Sequence, residues 1–480
     1  MRKVISGFAP FLLVITERRY RKSLENPLKT EKISRLLRNF AIPSIIAMLV
    51  SALYNIVDQI FIGQSIGELG NAATNVAFPL TTICIAISLL FGIGGASAFN
   101  LTMGRGDAKR AIHYIGNSVT MLISCGVVLC IVSHLFLTSM LQFFGAPDNV
   151  LEYAKTYTSI TSFGFPFLIL ATGGGHLIRA DGSPRFSMAC NLTGAVINTI
   201  LDPLFIFGFH WGMAGAAFAT IIGQFISAVM AIYYLCHYKT IRLERCHLRP
   251  QWEYIRWSMS LGAASCFNQI AMTIVQIALN KSLTYYGALS IYGESIPLAC
   301  AGIITKVNQI FFSVIIGLSQ SIQPITSFNY GARQYSRVRE VYFLAIRIGL
   351  IISVLSFAAF QLFPRQIISL FGSGDELYYQ FAVSYFRIYF FCTFVNCLQP
   401  ISSTFFTAIG KPIKGMFLSM TRQILFLLPL ILILPLLFGI NGILFSGPIA
   451  DGVAAVVSII MIYMEMRDMR QKELSPPGSI

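Results

Sequence analysis

The sequence predicts an all-α polytopic membrane protein in which twelve transmembrane helices form two six-helix lobes. Three observations predict this: the composition, the number of apolar stretches, and landmarks that recur in both halves. Of the 480 residues, 55% are hydrophobic and only 11% are charged, which is outside the range of soluble globular proteins. A bilayer-crossing helix needs about 20 apolar residues, so twelve such spans leave almost no room for a soluble domain.

The apolar stretches locate the spans and divide the chain. The spans are expected at 39–64, 73–101, 113–138, 154–178, 187–209, 213–237, 255–280, 295–327, 342–363, 380–406, 415–438 and 442–465. The first six form an N-lobe over 39–237 and the last six a C-lobe over 255–466. A linker is expected at 238–254, a basic N-terminal segment at 1–38 and a short tail at 467–480.

The charge pattern predicts the topology. The formal net charge is +15, and most of the 35 Lys and Arg residues fall in the N-terminal segment, in alternate loops and in the tail. Cytoplasmic loops carry such an excess, so both termini are expected in the cytoplasm and the protein in the plasma membrane. The charge is therefore not a nucleic-acid footprint, and no nucleic-acid partner is predicted.

The two halves repeat one another. A shift of 227 residues lays Gly104 on Gly331 and Asp148 on Asp375, and several other landmarks recur at that spacing or one residue further. They include Phe144–Gly145 with Phe371–Gly372, Gly212 with Gly439, and Pro184 with Pro412. Because six is an even number, the two halves share one orientation, and a pseudo-twofold axis is expected along the membrane normal. Transporters of this plan bind substrate between their halves.

Three carboxylates lie inside the predicted spans, at Asp58, Asp202 and Asp451. A carboxylate in hydrocarbon costs at least roughly 2.5 kcal/mol, so each is a functional candidate by default. Asp58 and Asp202 are expected at similar depths near the outer ends of their spans. The alternative for any single one is a structural hydrogen bond to a neighbouring helix.

Further polar groups are expected beside this pair. Asn198 precedes Asp202 by four residues, so both project from one helix face, and Thr220 enters span 6 to the same depth. Pro203 lacks an N–H and frees a backbone carbonyl there. Taken singly, Asn198 and Thr220 are as well explained by interhelical hydrogen bonds. Together with Asp58 and Asp202 they predict a cation-coupling site.

Two coupling chemistries suit such a cluster. Burial and a neighbouring carboxylate both favour the neutral form of an aspartate, so one of the pair can bind and release a proton. Oxygen ligands equally suit sodium, which Asp58, Asn198 and Asp202 would hold. The sequence leaves this choice open, and it predicts no cofactor beyond the coupling ion.

The second half does not repeat the cluster. At the same spacing, Asn198 and Asp202 fall on the apolar stretch 425–430, while Asp451 aligns with Gln224. The role of Asp451 stays open between structure and coupling. Lys306 and Arg387 are expected to neutralise carboxylates or backbone carbonyls.

Glycines 92, 94 and 95, and 173–175, indicate either close helix approach or local unwinding.

Other features of the sequence exclude an enzyme. No phosphate-binding G-x-x-x-x-G-K-[S/T] loop occurs, and no His, Asp or Glu set has catalytic or metal-ligand spacing.

Five motifs resemble those of the multidrug and toxic compound extrusion (MATE) transporters, and most closely their bacterial MepA-like branch. The motifs are Tyr54–Gly63 (YNIVDQIFIG), Arg179–Pro184 (RADGSP), Asn198-x3-Asp202-Pro203, Gly212–Ala217 (GMAGAA) and Asn329–Ala332 (NYGA). The resemblance covers roughly residues 33–465. It implies two six-helix lobes in a V and the export of cationic or amphipathic drugs against a proton or sodium gradient.

The family's site residues carry over unevenly. Asp58, Asn198, Asp202 and Thr220 match its first-lobe cation site, and Pro43 matches a proline at which the first helix bends in some members. Where some members have an acidic residue in helix 7 and in helix 10, this chain has Asn268, and Asn396 and Gln399, respectively. The resemblance therefore implies coupling in the first lobe alone.

The predicted activity is secondary active multidrug efflux by alternating access. The substrate is expected between the lobes, among aromatic and methionine side chains that accept varied organic cations. The alternative is a lipid or lipid-linked oligosaccharide flippase of the same broad fold, with Lys306 and Arg387 as its inward basic residues. The bilayer and small organic compounds are the expected partners, and a monomer is expected.

Overall fold

A computed structural model describes residues 27–293, 295–370 and 375–474 of the chain, and these residues are helical throughout apart from short connections. The N-terminal segment to residue 26, the tail from residue 475 and the landmark Phe371–Gly372 lie outside the described residues. A single helical turn at Pro27–Thr30 precedes the first long helix.

Six spans form the first half, and the fourth is a bent pair, α4a and α4b. They are α1 (Ile33–Ile66), α2 (Glu68–Gly104), α3 (Ala108–Leu135), α4a (Asp148–Ser162), α4b (Phe165–Ala180), α5 (Pro184–Pro203, continued by a π-helical turn at Leu204–Gly208) and α6 (Gly212–Cys236). Short helices at Leu137–Phe143 and Arg245–Leu248 lie in the connections.

The second half repeats this order. Its spans are α7 (Trp252–Ala288), α8 (Ser295–Gly331), α9 (Tyr335–Leu362), α10a (Glu376–Tyr389, with a short helix at Thr393–Val395), α10b (Leu398–Ala408), α11 (Pro412–Met420, a π-helical segment Thr421–Leu427 and Leu428–Phe438) and α12 (Ile440–Leu474). A short helix at Pro364–Ser369 precedes α10a.

The helix count confirms a protein with twelve spans. Among the described residues, 10 helices are long and apolar enough to cross a membrane, and the two bent pairs raise this to 12. The bends are 56° within the fourth span and 42° within the tenth, so both halves break the same span. The helix ends agree with the repeat in the sequence: α3 and α9 start and stop at positions 227 residues apart.

Glycines bring the two halves into backbone contact. A Cβ placed on Gly94 of α2 would lie 1.9 Å from the Ser258 carbonyl oxygen of α7, and one on Gly262 would lie 1.9 Å from the Leu90 carbonyl oxygen. The helix α2 is unbroken from Glu68 to Gly104. Close approach, and not local unwinding, is therefore what these glycines provide.

The first helix belongs to both halves. Near its start, Leu36, Leu37 and Phe40 are buried in a hydrophobic core shared with α8 and α9. The same helix packs against α5 of its own half, and Ile62 near its end lies in a core with Ile206 of the turn that continues α5. The helix runs unbroken through Pro43, so the bend that the family resemblance implies at this proline stays a prediction. A movement of α1 would therefore change the packing in both halves.

The linker between the halves is fixed to the first one. The Asp181 carboxylate accepts hydrogen bonds from the backbone N–H groups of Lys239 (2.7 Å) and Thr240 (3.0 Å) and from the Tyr234 hydroxyl (2.9 Å). Burial raises the pKa of Asp181, and these hydrogen bonds oppose the rise. The Thr120 hydroxyl also donates to the Leu248 carbonyl (2.7 Å), so the predicted linker is packed along α3.

Candidate cation site in the first lobe

Close packing of α5 on α6 creates the framework of the site. A Cβ on Gly223 would lie 2.7 Å from the Gly194 carbonyl oxygen, and one on Gly194 would lie 2.1 Å from Ser227 Oγ. Only residues without a Cβ permit this approach. It places polar side chains of the two helices within hydrogen-bonding distance one turn further along.

The four residues predicted for the cation site come together in the structure. Asn198 Nδ2 donates to Asp202 Oδ1 at 3.2 Å and reaches Thr220 Oγ1 at 3.5 Å. Asp58 enters from α1, and its carboxyl group interacts with that of Asp202. Asp202 is 0% exposed and Asn198 3%. Three helices thus contribute to one buried oxygen-rich cluster.

Several oxygens of this cluster lack a hydrogen-bond donor. Asp58 Oδ1, Asn198 Oδ1 and Asp202 Oδ2 are buried, and none has a partner among the described residues. A buried acceptor without a donor is costly and calls for an explanation. Carboxylate and amide oxygens are what a proton or a hard cation such as Na⁺ binds. The donor set therefore fits either coupling ion.

The backbone beside the cluster is irregular. Pro203 lies one residue beyond Asp202 and gives no N–H to the Thr199 carbonyl. The helix widens immediately afterwards into the π-helical turn Leu204–Gly208. Such turns occur often at functional sites, and the equivalent helix α11 contains one at Thr421–Leu427.

Two tyrosines at the site were missed by the sequence analysis. Tyr54 lies one turn before Asp58 on α1 and interacts with both carboxylates. The side chain of Tyr157, on α4a, lies near Thr220 and Asp58. The spacing of Tyr54 and Asp58 was a usable signal, since residues four apart share a helix face. Nothing in the sequence indicates Tyr157, because only the fold brings α4a to α6.

The other predicted polar residues lie apart from the cluster. Gln224 is one turn beyond Thr220 on α6, and its buried Oε1 faces Gly164 and has no partner in the described part of the chain. Asn268 makes a hydrogen bond at 3.8 Å to the sulfur of Met272 on its own helix. Gln399 donates to the Leu418 carbonyl at 3.1 Å, so it ties α10b to α11.

The role predicted for Lys306 and Arg387, neutralising buried groups, stays a prediction. Neither side chain forms an ion pair or hydrogen bond with the residues that the structure describes. Lys306 lines a cavity of about 340 Å³ together with Gln59, Gln64 and Asn71. Arg387 is exposed. Long basic side chains can extend towards water, which is why a position within a span does not fix a partner.

The third intramembrane carboxylate is paired. Asp451 Oδ1 lies 2.5 Å from Arg422 Nε, and both side chains are buried. The Arg422 guanidinium also lies over the Phe312 ring, 5.2 Å from its centroid, and near Tyr389. The sequence left the role of Asp451 open, and the structure gives it a structural partner.

No denser ligand set occurs in the ranges described above: they contain no group of three or more His, Cys, Asp or Glu side chains that could hold a metal ion. The helices define the class, a duplicated multi-pass membrane protein with the plan of a transporter, and the buried oxygen cluster in its first half is a candidate cation site.

Comparison with known proteins identifies the family. The MatE family model matches residues 43–204 and 264–433. The chain therefore belongs to the MATE family of multidrug exporters, which are transporters and not enzymes.

Relatives match over nearly the full chain. The multidrug export protein MepA of Staphylococcus aureus (strain N315) is 25% identical over 438 residues, covering 91% of this chain and 94% of MepA. MepA of Staphylococcus haemolyticus (strain JCSC1435) is 24% identical over 433 residues, covering 90% and 93%.

Solved structures share the fold. An outward-facing multidrug resistance MATE transporter of the MOP superfamily superposes with a TM-score of 0.86 at 23% identity, covering 92% of this chain and 98% of the other. A MOP superfamily transporter from Pyrococcus furiosus gives 0.85 at 22% identity with the same coverage. These likenesses confirm the predicted fold class.

Proposed function

We propose that the protein is a secondary active antiporter that exports cationic or amphipathic organic compounds in exchange for protons or sodium ions. The observation that carries the proposal is the group of three buried oxygens without donors, on Asp58, Asn198 and Asp202. The multidrug export function of the MepA relatives supports the substrate class. The protein would lie in the plasma membrane as a monomer with both termini in the cytoplasm.

Ion binding would act through α1. A proton or Na⁺ arriving from outside binds between the two carboxylates, cancels one of their two charges and so relieves their mutual repulsion. Asp58 lies on the part of α1 that packs on α5, whereas Leu37 and Phe40 lie in the core shared with the second half. A change in how α1 sits on α5 therefore alters the contact between the lobes. Alternating access requires such a two-sided element.

The drug would bind between the lobes and leave when the ion binds. Aromatic and methionine side chains accept organic cations of varied shape because their surfaces are polarizable and adaptable. No particular observation favours the flippase alternative. Its two basic candidates do not form one site, because Arg387 is exposed and Lys306 lines a small cavity with polar side chains from α1 and α2.

The test is ethidium efflux in everted membrane vesicles under imposed gradients. Wild type, Asp58→Asn and Asp202→Asn would each be measured with a proton gradient alone and with a sodium gradient alone. Asp148→Asn is the matched control, because Asp148 is an exposed acid at the start of α4a. We expect at least a tenfold loss of gradient-driven efflux in both site variants and none in the control.

The same assay separates the outcomes. Efflux that follows only one of the gradients identifies the coupling ion. If both site variants pump as well as wild type under each gradient, the coupling role of the cluster is wrong. If wild type drives no efflux of ethidium or of other organic cations under either gradient, the proposed antiport is wrong.

A further inference from the structure

A second polar feature lies far from the cation site, at the end of the molecule where the linker joins α7. It is a cavity of about 840 Å³, lined by the end of α2, the start of α3 and the start of α7. The charge pattern of the loops places this end in the cytoplasm. Nothing in the transport mechanism uses this cavity, which is hereafter the basic cavity.

The basic cavity carries three arginines, Arg105, Arg110 and Arg256. Arg110 pairs with Glu253, and Asp107 Oδ1 accepts a hydrogen bond from the Arg110 backbone N–H at 3.0 Å. Glu253 is thus paired, while Asp107 keeps its charge and caps the start of α3. Arg105 and Arg256 form no side-chain hydrogen bond or ion pair with any described residue. Two guanidinium groups are left to bind an anion, with planar donors that match phosphate oxygens.

The same cavity carries two of the three tryptophans of the chain. Trp252, in the first turn of α7, is 68% exposed, and Trp257 is 36% exposed. Exposed tryptophan beside arginine is typical of the membrane interface, where the ring lies at the level of lipid headgroups. The lining therefore presents cationic groups for a headgroup and apolar rings for the glycerol and upper acyl region.

We propose that the basic cavity binds the phosphate headgroup of an anionic phospholipid of the cytoplasmic leaflet. Basic pockets between transmembrane helices on this side suit such headgroups. An exported organic cation is a poor occupant, because the two unpaired arginines repel it. The inference is independent of the transport chemistry and depends only on the topology that the charge pattern predicts.

The placement of the cavity adds a consequence. Arg105 belongs to the first half, while Arg256 and both tryptophans belong to α7 of the second half. A headgroup bound to both arginines bridges the two lobes at their cytoplasmic ends. Such a lipid binds only the arrangement in which these ends are together, and so stabilises it.

The test measures lipid retention by the purified full-length protein. Protein in nanodiscs of phosphatidylglycerol and phosphatidylcholine would be released into the gas phase, and bound phosphatidylglycerol counted by native mass spectrometry. The variant is Arg105→Gln/Arg256→Gln. The matched control, Arg185→Gln/Arg467→Gln, removes two exposed arginines that do not line the cavity. Each basic residue near an anionic surface contributes about fivefold, so we expect a loss of roughly 30-fold in affinity.

Three further arms make the result decisive. Arg105→Lys/Arg256→Lys should keep most of the binding, because the charge remains. If the Gln double variant fails to fold, Arg256→Gln alone replaces it. In pure phosphatidylcholine with millimolar inorganic phosphate or glycerol phosphate, no protection against thermal unfolding is expected. Equal lipid retention in variant and control overturns the proposal, and protection by the free anions overturns the lipid as its occupant.

Discussion

The two lobes have equivalent helices but differ in how their buried charged side chains are paired. In the first, Asp58 and Asp202 lie together with Asn198, and each of the three has an oxygen without a donor in the described chain. In the second, Asp451 is joined to Arg422, and neither has a buried polar atom left unpaired there. The first lobe thus leaves oxygens of the candidate cation site without a donor, whereas in the second lobe Arg422 supplies the counter-charge of Asp451.

The difference shows how a duplicated unit specialises. A guanidinium is always protonated in proteins, so the Arg422–Asp451 pair exchanges no ion with the surroundings. Asp58 and Asp202 have no basic partner among the described residues, so their negative charge would have to be balanced by protons or cations from the surroundings. We therefore expect ion coupling in the lobe whose buried carboxylates lack a counter-charge, and a structural role for the paired charges of the other lobe. Measurements of the free energy of unfolding in detergent micelles can challenge this division.

The largest effect is expected from breaking the pair in the second lobe. Asp451→Asn should lower the free energy of unfolding by about 3–5 kcal/mol, because it leaves a buried guanidinium without its counter-charge. Arg422→Gln should cost less, since a lone carboxylate can take up a proton. The double variant Arg422→Met/Asp451→Leu should recover much of the loss. Wild-type stability in Asp451→Asn would contradict the structural role of the pair.

A smaller loss is expected from separating the helices that frame the first-lobe site. Gly223→Ala places a Cβ only 2.7 Å from the Gly194 carbonyl oxygen. Overpacking of this kind lowers the free energy of unfolding by about 1–3 kcal/mol. The control is Gly452→Ala in α12, where nothing lies within 4 Å of an added Cβ. If both variants unfold alike, the glycine contact does not hold α5 on α6.

Removing the Asn198 amide should lower the free energy of unfolding by less than the glycine substitution does. Asn198→Ala loses the hydrogen bonds to Asp202 and Thr220, and interhelical bonds in membranes contribute about 0.6 kcal/mol each. Thr199→Ala is the control, because its hydroxyl bonds only the Ala195 carbonyl of its own helix, at 2.9 Å. A loss of several kcal/mol in Asn198→Ala would show that the amide is a main structural support.

The smallest effect on stability is expected at Asp202, one of the residues proposed for coupling. Asp202→Asn replaces a buried carboxylate that has an unpaired oxygen with a neutral amide, and Oδ1 can still accept from Asn198. We expect the free energy of unfolding to change by less than about 1 kcal/mol, or to rise. A large loss would mean that the charge of Asp202 is balanced within the protein, and the two lobes would then be alike.

The sequence predicted which polar residues of the first lobe lie together, but not all of their partners. Asp58, Asn198, Asp202 and Thr220 were predicted as one cluster because an acid in an apolar span is expensive and because helix spacing aligns the others. Arg422 was overlooked as the partner of Asp451, although both lie in adjacent spans of the second half. Lys306 and Arg387 were assigned partners that the structure does not give them.

The sequence by itself determined the helix count and the duplication. These follow from local properties, namely apolar length and the spacing at which landmarks recur along the chain. Only the tertiary structure decided which polar groups meet, because that depends on where the glycines allow backbones to touch. The fold places Tyr157 near Thr220 and pairs Asp451 with Arg422. It leaves one oxygen each of Asp58 and Asp202 without a donor among the described residues.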